Sequence, residues 1–192
     1  MNDFFLASDR SITVELQFNK VAVMQLKMHN FDQWSGHAQA IKEFLKSHPD
    51  DIAKLLQEKT DEVLALVGLA IDRDAKDIER IMLQEKDRSF DLIKAVLVVN
   101  DAFFSEPEPK HDDSVDPRNK STWFDAFQLL ILHGHTNTEI MQMTYGAFQG
   151  YLKAAKKMER RKILNDAYAV RGGSTPSKKS FDEFQKSLEK TK

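Results

Sequence analysis

Residues 63–71 read VLALVGLAI, with Val63, Leu64, Leu66, Val67, Leu69, Ala70 and Ile71 placing apolar side chains around nearly the whole circumference of a helix. A helix without a polar face has to be surrounded, either by other elements of a core or by lipid. The run ends at Asp72, far short of the roughly 20 apolar residues that a membrane span needs. It therefore predicts a core helix with neighbours on most sides. Residues 11–18 alternate, with Ile12, Val14, Leu16 and Phe18 on one face, which predicts a half-buried strand. Residues 21–28 form a second β-rich run after Asn19-Lys20, so a hairpin is expected, although Lys20 is a poor residue for a turn that needs positive φ. Asn30 with Gln33 reads as an N-cap and capping box opening a helix over residues 31–46. His48-Pro49-Asp50 should stop that helix and start the next. Ile52, Leu55 and Leu56, then Ile78, Ile81 and Met82, then Phe90, Leu92, Ile93, Val96 and Leu97 keep a helical pattern as far as Phe104. The expected fold is mainly α, a small N-terminal β-hairpin with a helical bundle over residues 1–105.

Residues 105–121, SEPEPKHDDSVDPRNKS, hold three of the five prolines and a single aliphatic side chain, Val115. This composition predicts a linker over residues 106–120. A second small helical unit is expected over residues 121–173. In it Trp123, Phe124, Ala126, Phe127, Leu130 and Ile131 form an amphipathic helix ended by Gly134. A short helix over residues 136–143 and a long one over 145–169 follow, with Gly172-Gly173 as the stop. Residues 174–192 are mostly polar and are expected to form a mobile tail. The net charge of −2 conceals an asymmetry. Residues 1–105 carry 13 basic and 18 acidic side chains, −5, whereas residues 121–192 carry 12 and 7, +5. Two units with different neighbours, or two faces of one assembly, would account for this.

Chemistry has little to work with. The absence of cysteine removes disulfides, thiol nucleophiles and thiolate zinc sites. No glycine-rich phosphate loop joins a strand to a helix, and the carboxylates fall on predicted solvent faces without an acid/base pair. His133-Gly134-His135, with Glu139 nearby, offers two imidazoles but no complete ligand set, and reads as a polar helix end. The reading is of no enzyme, no metal and no cofactor. The N-terminal MNDFFLASDRS lacks a basic segment followed by an apolar run, so a cytosolic location is expected. Residues 129–162 mimic a helix-turn-helix, with Ile140, Met143, Phe148 and Leu152 as a shared core and Lys153, Lys156, Lys157, Arg160, Arg161 and Lys162 available for phosphates. Against DNA binding, the recognition helix would open Tyr145-Gly146-Ala147-Phe148, with glycines at 146 and 150 and few side chains able to read bases. A unit of about 50 residues can hardly cover Trp123, Phe124, Phe127, Phe148, Tyr151 and Tyr168, so part of that aromatic surface is expected to meet a partner, where aromatics are strong anchors.

The order of these elements resembles the tail assembly chaperones of long-tailed bacteriophages. The likeness rests on the N-terminal strand pair, the run TDEVLALVGLAI over residues 60–71, and the stretch 93–99 closing in Asn100-Asp101-Ala102-Phe103-Phe104. Downstream, residues 123–134, Thr138-Glu139-Ile140 and the basic helix from Phe148 are similar to the portion that such phages attach by frameshift or fusion. The resemblance implies a chaperone of the host-cell cytoplasm that is absent from the mature virion. Its upstream unit would bind the tape-measure protein, and its downstream unit would recruit tail-tube protein. Carried onto this chain, Trp123, Phe127, Tyr151, Lys156, Lys157, Arg160 and Arg161 become the candidate tube-binding surface. Phe44, Leu56 and Phe90 become candidate tape-measure contacts, with core packing as their competing fate. Self-association is a further expectation; membrane and nucleic-acid partners are not.

Overall fold

The computed structural model describes residues 3–16, 20–84, 86–105, 122–174, 178–179 and 182–183. The expected linker 106–120, the hairpin turn and most of the expected tail lie outside the described residues. The chain is mainly α with a small two-stranded antiparallel hairpin near its N-terminus. The run with no polar face is helix α4 (Thr60–Ile71), buried at Val63, Leu66, Val67, Ala70 and Ile71. It packs on α2 (Phe31–Ser47), α3 (Ile52–Glu58), α5 (Ala75–Gln84), α6 (Lys86–Val99) and strand β2 (Lys20–Val23). At its end Asp72 turns left-handed, φ 52°, and the Arg73 N–H donates to the Gly68 carbonyl at 2.9 Å. A Cβ on Gly68 would stand 2.8 Å from the Arg73 oxygen, so the chain can fold over this helix end because position 68 has no side chain.

Strand β1 (Ile12–Glu15) pairs with β2 in the register Ile12 to Val23, Val14 to Val21 and Glu15 to Lys20, the last pair joined by an exposed salt bridge of 2.6 Å. Ile12 and Val14 are half-buried while Thr13 and Glu15 are exposed, as the alternation predicts, and both strands lie on α6. The β-rich run expected over 21–28 is strand only to Val23. Beyond it the extended backbone bonds to four other places. Met24 N–H donates to Ala70 O at 2.8 Å, Leu26 N–H to the Asn100 Oδ1 at 2.8 Å and Met28 N–H to Met143 O at 2.9 Å, and Leu26 O accepts from Tyr145 N–H at 2.9 Å. Asn100 is buried, and its Nδ2 donates in turn to Val96 O at 3.0 Å. The buried Gln25 amide donates to Phe5 O and Arg10 O at 3.0 and 3.1 Å, holding α1 (Asp3–Ala7) to the hairpin.

Three expected helix boundaries differ. A 3-10 turn, Met28–Asn30, runs straight into α2, and the Asn30 side chain makes no capping bond. Pro49 does not begin a helix either. Asp50 follows it at φ 62°, and Asp51 is the cap of α3, its carboxylate accepting from Lys54 N–H at 3.0 Å. After Asp101–Phe104 (α7) and the undescribed segment come α8 (Trp123–Leu132), α9 (Asn137–Gln142) and α10 (Tyr145–Ser174). Gly172-Gly173 was expected to stop α10; the helix continues to Ser174.

The first compact unit is Met1–Tyr151. Residues 122–151 thus belong with residues 1–105, where composition had placed them in a unit of their own. Aromatic packing is the reason. The Phe31 ring centroid lies 4.8 Å from Trp34, 4.8 Å from Trp123 and 5.8 Å from Tyr145, and Tyr145 lies 5.6 Å from Trp34 and 5.3 Å from Phe103. Trp34 is fully buried at the centre of this group. The second unit is Leu152–Lys192. In it Leu152 and Ala155 are buried and every residue over 156–171 is exposed.

Two outcomes follow. Asn100→Ala leaves the buried Leu26 N–H without its acceptor and lowers unfolding free energy in urea by about 2 kcal/mol. A chain cut after Ser105 lacks Trp123 and Tyr145; it loses the near-ultraviolet signal of ordered rings and cooperative melting, whereas a self-sufficient unit 1–105 would keep both.

Candidate functional site

Helix α8 is fixed at both ends by its own sequence. Thr122 Oγ1 accepts from Asp125 N–H at 3.2 Å, and the Asp125 carboxylate accepts from the Thr122 N–H at 2.7 Å and hydroxyl at 2.9 Å. This capping box is repeated at α9, where Glu139 accepts from the Thr136 N–H at 2.7 Å and Thr136 Oγ1 accepts from Glu139 N–H at 3.2 Å. Hydrogen bonds from the threonine backbone, then its hydroxyl, hold both carboxyls below their ordinary range; for Glu139, His135 adds a smaller pull in the same direction. At the far end of α8 Gly134 adopts φ 97°, and the N–H groups of Gly134 and His135 close on Ile131 O and Leu130 O at 3.0 and 3.1 Å.

Between these ends α8 is apolar except for Asp125 and Gln128. Ala126 and Leu130 are buried. Taken at 100° per residue, Trp123, Phe127, Ile131, Phe124, Gln128 and Leu132 span the other half of the circumference. Trp123 and Phe127 lie along one edge of that arc. The Trp123 ring is 5.8 Å from Phe148 and 6.3 Å from Phe127, with 45% of the residue still open, while Phe127 is half-buried 5.8 Å from Phe148. Phe124 and Leu132 face outward at 79% and 78% exposure, with Ile131 beside them at 39%. Phe124 belongs to the aromatic surplus expected at the surface; the exposure of Ile131 and Leu132 is not legible in an apolar pattern that α8 shares with the enclosed α4.

Tyr151 is exposed, its ring 4.8 Å from His135 at the rim of an open groove of about 330 Å³ that Leu6, Asp9, Glu139 and Gln142 also line. Lys156, Lys157, Arg160 and Arg161 are all exposed on the second unit, in α10. The expected tube-binding set therefore divides, with three aromatic members in the first unit and four cations in the second. Of the tape-measure candidates, Phe44 is core, buried and stacked 4.7 Å from His48, and Leu56 and Phe90 are half-buried.

The opening turn of α10 faces the core of the first unit. Tyr145, Gly146, Ala147 and Phe148 are buried, and Gln149 donates to the Tyr145 hydroxyl at 2.9 Å. A Cβ at 146 would lie 2.6 Å from Leu6 Cδ2 and 3.2 Å from Ala102 Cβ, which accounts for the glycine there. A recognition helix needs this turn open to a groove. Among the described residues no three His, Asp or Glu side chains gather as a metal site, and no helix is long and apolar enough to cross a membrane. No protein-family model, curated protein or solved structure matches the chain.

The caps give a pH dependence with a fixed sign. A carboxyl whose folded pKa is depressed adds stability that is complete above its unfolded value and disappears as pH falls through the folded one. Between about pH 5 and pH 2 the wild-type chain should lose more stability, by urea midpoint, than an Asp125→Asn, Glu139→Gln variant. At neutral pH Thr136→Ala costs about 1 kcal/mol in the same assay.

Proposed function

We propose that this protein is a non-enzymatic assembly chaperone of a bacteriophage tail, acting in the host-cell cytoplasm, which covers the tape-measure protein and recruits tail-tube subunits without remaining in the virion. The observation that carries the reading is the outward face of α8, an apolar arc on a chain in which 30% of residues are charged. Contiguous exposed apolar surface marks docking of another chain. A long helical ruler exposes apolar seams of its own that aggregate until something covers them, and a helical unit covers them with anchors at i, i+3, i+4 and i+7. Many copies on one ruler bind through avidity while each stays displaceable. In this reading Trp123, Phe127 and Tyr151 anchor the tube subunit, Lys156, Lys157, Arg160 and Arg161 steer it, and Leu56 and Phe90 mark the ruler side, from which Phe44 drops out as core.

Co-purification of the full chain with a tape-measure fragment and with tube protein tests this. Both are expected to be retained by wild type. Trp123→Ala weakens tube retention about tenfold and leaves the tape-measure fragment bound. Failure to hold either partner overturns the reading. So does a salt-sensitive shift of duplex DNA that disappears when Lys156, Lys157, Arg160 and Arg161 become Ala, which is the behaviour of a helix-turn-helix regulator.

A further inference from the structure

Divided after Tyr151, the chain is more unequal in charge than its composition suggests. Residues 1–151 carry 16 basic and 25 acidic side chains, −9, and residues 152–192 carry 12 and 5, +7. Five of these cations, Lys153, Lys156, Lys157, Arg160 and Arg161, follow one another along α10 at spacings of three and four. All five are exposed, and none is ion-paired among the described residues. At 100° per residue they fill an arc of about 140°, and the acids of this stretch, Glu159 and Asp166, fall outside it. Like charges at these spacings destabilise a helix, and a bound anion relieves their repulsion. The cations occupy about 12 Å of the helix axis, and over about the next 9 Å the same arc continues with Leu164 and Ala167, with Ile163 at its edge. Ile163 and Leu164 are both more than half exposed. We infer that this face of α10 docks a protein helix whose contacting edge is acidic along one half and apolar along the other.

The order of the two chemistries along the axis selects the partner. A phosphate backbone pairs with the cations and offers Ile163 and Leu164 nothing to pack against. A helix lying in a membrane surface carries its apolar face beside its polar face along its whole length. Here the apolar side chains succeed the cations on one face, and Glu159 and Asp166 lie on another. A second copy of the same face fits no better. Laid parallel it sets cation on cation, and laid antiparallel it sets the cations of each copy on the apolar half of the other. A helix with carboxylates opposite residues 153–161 and apolar side chains opposite 163–167 matches both halves, with anchors at i, i+3, i+4 and i+7. The inference deepens the chaperone reading and rests on it for the partner's identity: the cations that steer the tube subunit there meet an acidic helix of that subunit. The chemistry of the docking itself needs no phage component.

Fluorescence anisotropy of labelled synthetic helices of about 20 residues, titrated with the full chain, tests it. One peptide carries glutamates on one face over its first half and leucines on that face over its second. Another has the halves exchanged, so that parallel and antiparallel docking are both served, and a third has the same composition with the face scrambled. At least one ordered peptide is expected to bind about tenfold more tightly than the scrambled one and to weaken as salt is raised. Lys157→Glu with Arg160→Glu weakens that binding at least about tenfold, with the melting temperature unchanged because both side chains are exposed. The same variant gains affinity for the peptide made with lysines in place of glutamates. Ile163→Ser with Leu164→Ser also weakens the ordered peptide. Binding indifferent to this last pair, equal binding of the scrambled peptide, or no binding of either ordered peptide overturns the proposal. So does tighter binding of duplex DNA or of anionic phospholipid vesicles. A chain that binds an ordered peptide but holds no tube protein supports this inference and overturns the chaperone reading. Tube protein retained in the presence of excess ordered peptide does the reverse.

Discussion

The ring cluster around Trp34 holds the first unit together. It gathers Phe31 and Trp34 from α2, Phe103 and Phe104 from α7, Trp123 and Phe127 from α8, and Tyr145 and Phe148 from α10, with neighbouring centroids 4.8 to 6.3 Å apart. Edge-to-face pairs of this kind contribute about 0.5–1.5 kcal/mol each beyond the area they bury. Polar bonds fix the rings in place. Trp34 Nε1 donates to Lys27 O at 2.9 Å, and the Lys42 ammonium lies 5.1 Å over the Phe103 ring while donating to the Phe103 carbonyl at 2.7 Å. Residues 122–151 join the first unit through these rings and through the backbone bonds of Leu26 to Tyr145 and of Met28 to Met143.

That arrangement also marks where the amino-acid sequence stops being informative. Periodicity located α4, the hairpin strands, α8 and its Gly134 stop, because each is decided by neighbours along the chain. The unit boundary was placed at residues 106–120, since prolines and acids report how a segment behaves locally and carry nothing about which distant rings meet. The boundary at Tyr151 depends on Phe31 reaching Trp123 and Tyr145, a fact of three-dimensional packing. Asn30 has the chemistry of a cap, but a 3-10 turn leads into α2 and leaves its side chain uninvolved, while the boxes Thr122-Asp125 and Thr136-Glu139 have the textual signature and use it.

For the candidate site the limit is similar. The apolar patterns of α4 and α8 differ little, yet α4 is enclosed by four helices and a strand while half of α8 faces outward. A pattern tells how much of a helix needs covering and leaves open what covers it. Trp123 and Phe124 were legible as surplus aromatic area; Leu132 was not, because its exposure follows from which edge of α8 the cluster takes. Phe44 shows the converse, an apolar residue that fits a contact role on paper and is consumed by its stack on His48.

Residues 24–28 set the order in which this molecule can be completed. Leu26 gives its N–H to Asn100 and its carbonyl to Tyr145, and Met28 bonds to Met143. During translation a nascent chain grown to residue 105 therefore carries a bare Leu26 carbonyl and a Trp34 missing one wall of its enclosure. Native closure waits until residues 143–145 have been synthesised. Throughout that interval the early helices lack the rings of α8 and α10, and this is the window in which the growing chain is most open to misassembly.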